Sequence, residues 1–283
     1  MYETLVVDER ERVARVTLNR PRQRNAMSVD LMREMIACAG ALATRTDIDA
    51  VIVTGAGGVF SAGADLKDAR RWAEQDAPLA AKREVASLGF RMARAWEELP
   101  QITVAAIEGH AIGGGLALAL ALDWRVAARN AFVSFPEIGL GIPLTWGTIP
   151  RLVNLVGPSR AKRLTILCER CSATEAFAMG LVDALAPARG ALAGARALAE
   201  AALAQPRHAV RMSKEAVNVY ANLGAHAVSY MAHDQLQLAA ASAESTAARE
   251  AFLLRRAGTT RARSRASRPA RGSSRRRQAP APR

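Results

Sequence analysis

Aromatic residues are scarce in this chain of 283 residues: Phe, Trp and Tyr together account for 5% of the positions, whereas half of the positions are hydrophobic. Alanine dominates the apolar set, so a core filled mainly by large rings is excluded, and helices packed by small side chains are predicted. The length is sufficient to bury a substantial core, in one large domain or in two smaller ones.

Cysteine is also rare. Cys38, Cys168 and Cys171 are the three cysteines of the chain, too few for a disulfide framework. Cys168 and Cys171 have C-x-x-C spacing, but zinc would need a second such pair, and no redox helix signature follows. The histidines show no metal-ligand spacing. We therefore expect neither a disulfide nor a metal site.

The chain lacks an apolar segment suited to a membrane. Met1–Arg24 carries a charge every few residues, so no signal peptide is expected. The longest apolar stretch, Ile102–Leu122, has a membrane-like length but contains Glu108, His110 and three consecutive glycines. These residues favour a strand, a loop and a short buried helix. We expect a soluble, cytoplasmic protein without membrane contact.

Acidic residues are absent after Glu250. The formal charge of +13 includes 11 arginines between Arg255 and Arg283, so the first 254 residues carry only +2. The Arg-, Ser-, Ala- and Pro-rich composition predicts a disordered tail over residues 258–283. A nucleic-acid tether is one reading of such a tail. An extension without a partner is the reading we favour, because no aromatic residue is interleaved to stack on bases.

Two short loops carry most of the functional signal. Residues 60–67 read FSAGADLK and residues 108–115 read EGHAIGGG; each follows a β-branched apolar run and leads into a helix-compatible stretch. Small residues at strand-to-helix turns let backbone N–H groups point towards a ligand. Two such amides that converge on one oxygen form an oxyanion hole, which stabilises developing negative charge. The paired loops predict such a site.

Together with PEIGLG at residues 136–141, these loops resemble the crotonase family, the enoyl-CoA hydratase/isomerase superfamily. The resemblance runs from about Leu5 to Gly258. It also includes LNRP at 18–21 with NA at 25–26, ATEA at 173–176 with GLV at 180–182, and MSKE at 212–215.

The resemblance implies an α/β fold, a crotonase-like spiral of repeated ββα units with a C-terminal helical trimerisation region. We predict an acyl-CoA-binding core over residues 1–205, a helical oligomerisation region over 206–257, and the tail beyond. A homotrimer or a dimer of trimers is the expected assembly. The residue pattern itself predicts strands at 4–7, 13–18, 51–54, 102–107, 125–128, 131–134 and 181–185, and helices at 29–44, 81–99 and 115–122, with helices almost throughout after residue 148.

The resemblance also implies which residues meet the substrate, an acyl-CoA thioester. The oxyanion donors would be the amides of Ala64 and Gly114. Coenzyme A is part of the substrate, and no separate cofactor is expected. The residues that match the family's CoA-binding stretch or its first loop over the nucleotide end of CoA are Ala62, Asp65, Leu66, Lys67, Arg22, Gln23 and Arg24.

Glu137 matches one of the two glutamates that hydratases of the family use, and desolvation in an acyl pocket would raise its pKa. The second glutamate is replaced by Ala117. A single carboxylate suits the transfer of a proton from C2 to C4, whereas hydration needs a second acid, which Asp68 or Glu74 could supply. Trp146 stands where hydratases of the family usually have a glycine-rich run. Its side chain is expected either to form a wall of the acyl pocket or to pack in the core.

The most concrete prediction is therefore an enoyl-CoA isomerase that converts 3-enoyl-CoA to 2-enoyl-CoA with Glu137 as acid and base. An enoyl-CoA hydratase is the alternative within enzymes. A catalytically weak acyl-CoA-binding or RNA-binding member of the family, using the basic tail, is the alternative of another class.

Overall fold

The computed structural model describes residues 1–72, 78–229, 231–252 and 254. The predicted tail over 258–283 and the candidate acid Glu74 lie outside these residues.

Two sheets form the framework. Their strands, in chain order, are β1 (Leu5–Arg10), β2 (Val13–Leu18), β3 (Ala50–Gly55), β4 (Ile102–Ile107), β5 (His110–Ile112), β6 (Trp124–Ala128), β7 (Phe132–Ser134), β8 (Cys171–Ser172) and β9 (Ala184–Ala186). The larger sheet has the order β1-β2-β3-β4-β6-β9, and the smaller has the order β5-β7-β8. In the larger sheet β1 and β2 are antiparallel and every later pairing is parallel.

Helices follow most strands and cover the sheets. They are α1 (Val29–Ala43), α2 (Leu79–Glu97), α3 (Gly114–Leu120), α4 (Thr148–Ile166), α5 (Ala173–Ala178), α6 (Ala191–Leu203), α7 (Arg207–Ala221), α8 (Ala225–Ser229) and α9 (Ala232–Ala240). No helix among the residues described combines the length and the apolar character needed to cross a membrane.

The predicted start of α1 is confirmed. The Ser28 side chain accepts a hydrogen bond from Leu31 N (3.2 Å), which satisfies one of the free amides at the helix start. The apolar face of α1 then buries Leu31, Met35 and Leu42. Local capping and periodicity agree here, so the sequence locates this helix closely.

Small side chains pack the core, as the composition predicts. Helix α6 lies on β3 and β4, and its buried residues are Ala191, Ala195 and Ala199. Every residue of β4 is buried, the pattern of a strand covered on both faces. Trp96 is an exception in size, and its indole N–H donates to Met35 O (3.0 Å).

Some element predictions need correction. Residues 110–112 and 171–172, read from the sequence as loop or turn, form strands β5 and β8, and the strand expected at 181–185 is Ala184–Ala186. These strands have only two or three residues, and their neighbours in the sheet define them rather than a pattern of their own.

The described residues after Pro206 are mostly helical and include α7, α8 and α9, as expected for the C-terminal region. It exposes large apolar side chains, including Met212, Tyr220 and Leu223. The boundaries of the region and its trimer contacts stay predictions.

Candidate active site

The two glycine-containing loops meet at one edge of the larger sheet. Strands β3 and β4 are parallel neighbours, so the loops that follow them leave from the same edge. Phe60 N donates to Glu108 O (3.0 Å), Ser61 N to His110 O (3.1 Å), and Ile112 N to Ser61 O (3.0 Å). The predicted pairing of the loops is therefore present as a short backbone ladder.

The backbone amides of Ala64 and Gly114 have no hydrogen-bond partner within the described part of the chain. On either side of Ala64, Gly63 O accepts from Met27 N and Asp65 N donates to Met27 O. Gly63 adopts a left-handed backbone (φ +86°), and a Cβ placed on it would lie 2.6 Å from Ile112 O and 3.5 Å from Gly114 N. Only glycine permits this approach, which brings the two loops together beside the free amides.

Each residue of the triple glycine faces a different group. A Cβ placed on Gly113 would lie 2.5 Å from Glu137 Oε1, and one on Gly115 would lie 2.6 Å from Ser61 Cβ. A Cβ on Gly114 would overlap the six-membered ring of Trp146. All three positions therefore exclude side chains, each for its own reason.

Glu137 lies beside Gly113, at the N-terminal end of helix α3. Its segment is held in place because Gly113 N donates to Ser134 O (2.9 Å), and Glu137 O accepts from Leu140 N (2.9 Å). The carboxylate oxygen Oε2 is buried and has no hydrogen-bond partner among the described residues. Desolvation raises the pKa of Glu137 to about 7. The carboxyl group can therefore both hold and release a proton near neutral pH.

Trp146 packs against Gly114, also at the N-terminal end of α3. It is 7% exposed and has a left-handed backbone (φ +61°). Its ring occupies the space that a side chain on Gly89 of α2 or on Gly114 would need. The reading of Trp146 as core packing is therefore confirmed, and its reading as a wall of the acyl pocket stays a prediction.

With this geometry in place, comparison with known proteins identifies the family. The family model described as "Enoyl-CoA hydratase/isomerase" matches residues 8–259. The chain belongs to this family. Its fold and its enzyme class, predicted from the loops at 60–67 and 108–115, are confirmed: it is a crotonase-fold enzyme, a hydratase or an isomerase.

Curated and solved members of the enoyl-CoA hydratase/isomerase family are similar over most of the chain. The crotonyl-CoA hydratase of Syntrophomonas wolfei is 35% identical over 218 residues, which span 77% of this chain and 82% of that protein. The short-chain-enoyl-CoA hydratase of Clostridium acetobutylicum is 34% identical, over 76% and 80% of the two chains. The structure of an enoyl-CoA hydratase from Mycobacterium avium subsp. paratuberculosis K-10 superposes with a TM-score of 0.80 at 28% identity, over 90% and 97% of the two chains.

Asp68, a candidate for the second acid of a hydratase, is committed to other partners. Its carboxylate accepts from Val29 N (2.9 Å) at the start of α1 and from Arg70 Nε (3.0 Å). Burial alone would raise the pKa of Asp68, but the hydrogen bonds from Arg70 and from backbone amides outweigh it and lower the pKa. Ala117 is 1% exposed in the middle of α3 and offers no ionisable group.

The residues predicted to contact CoA differ in what the structure leaves available. Arg22, Gln23, Arg24 and Lys67 are exposed, and Ala62 N donates to Arg24 O (2.9 Å), so the turn at 21–23 lies next to the first loop. Leu66 is partly buried. Asp65 is buried, its carboxylate pairs with Arg20 (2.9 Å), and it accepts from Lys67 N (3.1 Å). The visible role of Asp65 is to fix the loop.

Two buried polar residues without a predicted role, Asn25 and Ser61, hold the loops together. Asn25 is buried and its amide group donates to Ala56 O (2.9 Å) and Val59 O (2.7 Å). Ser61 Oγ donates to Asn25 O (2.7 Å) and accepts from Gly63 N (3.2 Å). Small polar residues inside otherwise apolar motifs were the available signal, since such groups are buried only when they are hydrogen-bonded.

Proposed function

We propose that this member of the family is an enoyl-CoA isomerase that moves a double bond from C3 to C2. The thioester oxygen accepts hydrogen bonds from the amides of Ala64 and Gly114. Glu137 takes a proton from C2, the electron pair of that C–H bond delocalises through the thioester and the double bond, and the same carboxyl group returns the proton to C4. Oxyanion donors of this kind contribute about 3–4 kcal/mol each to lowering a barrier.

The observation that carries the proposal is the carboxyl group of Glu137, next to which the described part of α3 places no second acid. Glu137 has a buried oxygen without a partner and a pKa raised to about 7, so it serves as base in the first step and as acid in the second. The second acid that hydration requires has no counterpart on α3, where Ala117 is buried. A reaction in which one group moves one proton matches this arrangement.

We also propose where the CoA part of the substrate binds and how the enzyme assembles. The nucleotide end of CoA lies along Arg22, Gln23 and Arg24, with Lys67 beside it, because these side chains are exposed and three of them are cationic. The enzyme needs no separate cofactor, works in the cytoplasm and assembles as a trimer or a dimer of trimers through its C-terminal helices.

Hydration of 2-enoyl-CoA is the second candidate. The names of two similar proteins, "Crotonyl-CoA hydratase" and "Short-chain-enoyl-CoA hydratase", support it. It requires a second acid from a loop, and the carboxylate of Asp68 is already engaged by Val29 and Arg70.

The unmodified enzyme's own preference tests the proposal. Isomerisation of 3-hexenoyl-CoA should be much faster than hydration of crotonyl-CoA, with both rates measured in the same preparation. The Ala117→Glu variant should gain hydration, whereas Ala117→Gln, which has similar size but no acid, should not. Vigorous hydration of crotonyl-CoA by the unmodified enzyme would overturn the proposal in favour of the hydratase.

A further inference from the structure

The indole of Trp146 bridges helices α2 and α3 beside the free amide of Gly114. The nearest ring atoms to a Cβ placed on Gly89 are Cε2, Nε1 and Cδ2, and those nearest to a Cβ on Gly114 are Cζ3, Cη2 and Cε3. The five-membered side of the ring therefore rests on α2, and the far edge of the six-membered ring rests on the first turn of α3. The ring fills the gap between the two helices.

Gly89 leaves room on α2 for the indole of Trp146, because a Cβ at this position would overlap the ring. It is buried in the interior of α2, and its backbone is not left-handed. Glycine in a helix interior costs about 1 kcal/mol relative to alanine. Since no backbone reason requires glycine at this position, the residue it accommodates is Trp146.

The side chain of Arg151 holds the turn that carries the indole. Arg151 Nη1 donates to Trp146 O (3.0 Å) and to Gly147 O (3.2 Å). The same guanidinium forms a bidentate pair with Glu97 at the end of α2 (2.8 and 2.7 Å). Both side chains of this pair are mostly buried, at 8% and 17% exposure. The ring is thus held by packing on Gly89 and by a buried ion pair.

We propose that Trp146 is the end wall of the acyl pocket and restricts the enzyme to short acyl chains, of the butenoyl and hexenoyl class. This inference rests on the proposed function, which puts the thioester oxygen at Gly114 N and C2 at Glu137. Glu137 covers Gly113 and Trp146 covers Gly114, so the acyl chain starts between them at the same helix end. The carbons beyond the reacting ones then meet the indole, which packing and the ion pair hold in place.

Binding of saturated thioesters tests the wall without requiring turnover. Calorimetric titration with butanoyl-, hexanoyl- and decanoyl-CoA should show decanoyl-CoA at least about tenfold weaker than butanoyl-CoA, the size of effect that a pocket wall produces. The Trp146→Gly variant, which also relaxes the left-handed backbone, should abolish this difference and leave butanoyl-CoA affinity within a few-fold. Trp146→Phe keeps an aromatic ring in the core and should give an intermediate ratio, so the test does not depend on the folding of one variant.

Two matched controls separate the wall from general packing. Trp96→Phe removes another buried indole on α2, away from Gly114, and should lower the melting temperature without changing the chain-length ratio. Gly89→Ala should reduce the difference between butanoyl- and decanoyl-CoA affinity because its Cβ displaces the indole, whereas Gly40→Ala, which meets nothing within 4 Å, should not.

The outcomes are distinguishable. Tight binding of all three thioesters by the unmodified enzyme, unchanged in both Trp146 variants, would overturn the wall and leave the proposed function standing. If none of the three thioesters binds, both the wall and the proposed function are overturned. A loss of selectivity in Trp96→Phe equal to that in Trp146→Phe would also overturn the wall, because general loosening would then explain the effect.

Discussion

A carboxyl group lies near each end of helix α3, Glu137 at the N-terminal end and Asp123 at the C-terminal end, and the two differ in their hydrogen bonds. At the C-terminal end, Asp123 Oδ2 accepts from Thr103 N (2.7 Å), Thr103 Oγ1 (2.9 Å) and Lys214 Nζ (2.7 Å). At the N-terminal end, the buried Oε2 of Glu137 has no partner among the residues described. Both groups are largely withdrawn from water, so burial does not distinguish them. The difference lies in hydrogen bonding: three donors hold the carboxylate of Asp123, whereas an oxygen of Glu137 is left open, as its proposed acid–base role requires.

This difference has an energetic side. A buried polar atom without a partner destabilises a protein by about 1–3 kcal/mol. At Asp123 this loss is avoided by Lys214, whose pKa is lowered by burial although the attraction of Asp123 opposes that effect. Among the described residues Glu137 Oε2 has no such partner, and desolvation raises the pKa of Glu137.

Replacement of Glu137 by Gln tests the reactive end and should have the largest effect. The amide keeps the shape but cannot take a proton, so the turnover number should fall by about 10²–10⁴-fold. Binding of butanoyl-CoA should stay within a few-fold. Turnover of 3-hexenoyl-CoA and solvent-deuterium exchange at the α-carbon are the measurements; exchange at the unmodified rate would show that another residue is the base.

Replacement of Asp123 by Ala tests the structural end. It leaves the buried Lys214 ammonium without its carboxylate, so the free energy of unfolding should fall by about 3–5 kcal/mol in urea titrations. Asp8→Ala is the matched control, because the Asp8–Arg15 pair is about half exposed and should change stability by less than about 1 kcal/mol. Equal, small losses in the two variants would remove the contrast between the ends of α3.

The titration of Glu137 should give a smaller effect, which appears as a pH dependence of the free energy of unfolding. The pKa of Glu137 is about 7 in the folded protein and 4.5 ordinarily, so between these values the folded state binds more protons than the unfolded state. The contribution of Glu137 to stability should therefore be constant below pH 4.5, fall as the pH rises to about 7, and stay lower above it, by about 3 kcal/mol.

Glu137→Gln should lack this component. The difference between its unfolding free energy and that of the unmodified enzyme should change across the window from pH 4.5 to 7. Parallel curves in urea titrations over that range would mean that the carboxyl group is not desolvated. The unmodified enzyme's kcat/KM should rise with pH through about 7 as the base becomes ionised.

The loops and the acid at the N-terminal end of α3 could be located from the sequence because their signals are local, and their catalytic roles stay predictions. Glycines in the two loops, Glu137 between Pro136 and Ile138, and the absence of an acid at Ala117 can all be read along the chain. The position of Trp146 could not be predicted, because it depends on Gly89, which lies inside an ordinary helical pattern. Asp65 was grouped with CoA-binding residues, but its carboxylate pairs with Arg20, a contact between two loops that spacing alone does not reveal.

The triple glycine also limits how this enzyme can evolve. Every substitution at Gly113, Gly114 or Gly115 adds a carbon that meets Glu137, Trp146 or Ser61. In a library that samples all amino acids, we therefore expect these positions to accept few replacements, while Gly40, with open space around it, accepts many. Under the proposed function, changes in the reaction or in the substrate then arise at neighbouring positions that do carry side chains, Ala117 and Trp146.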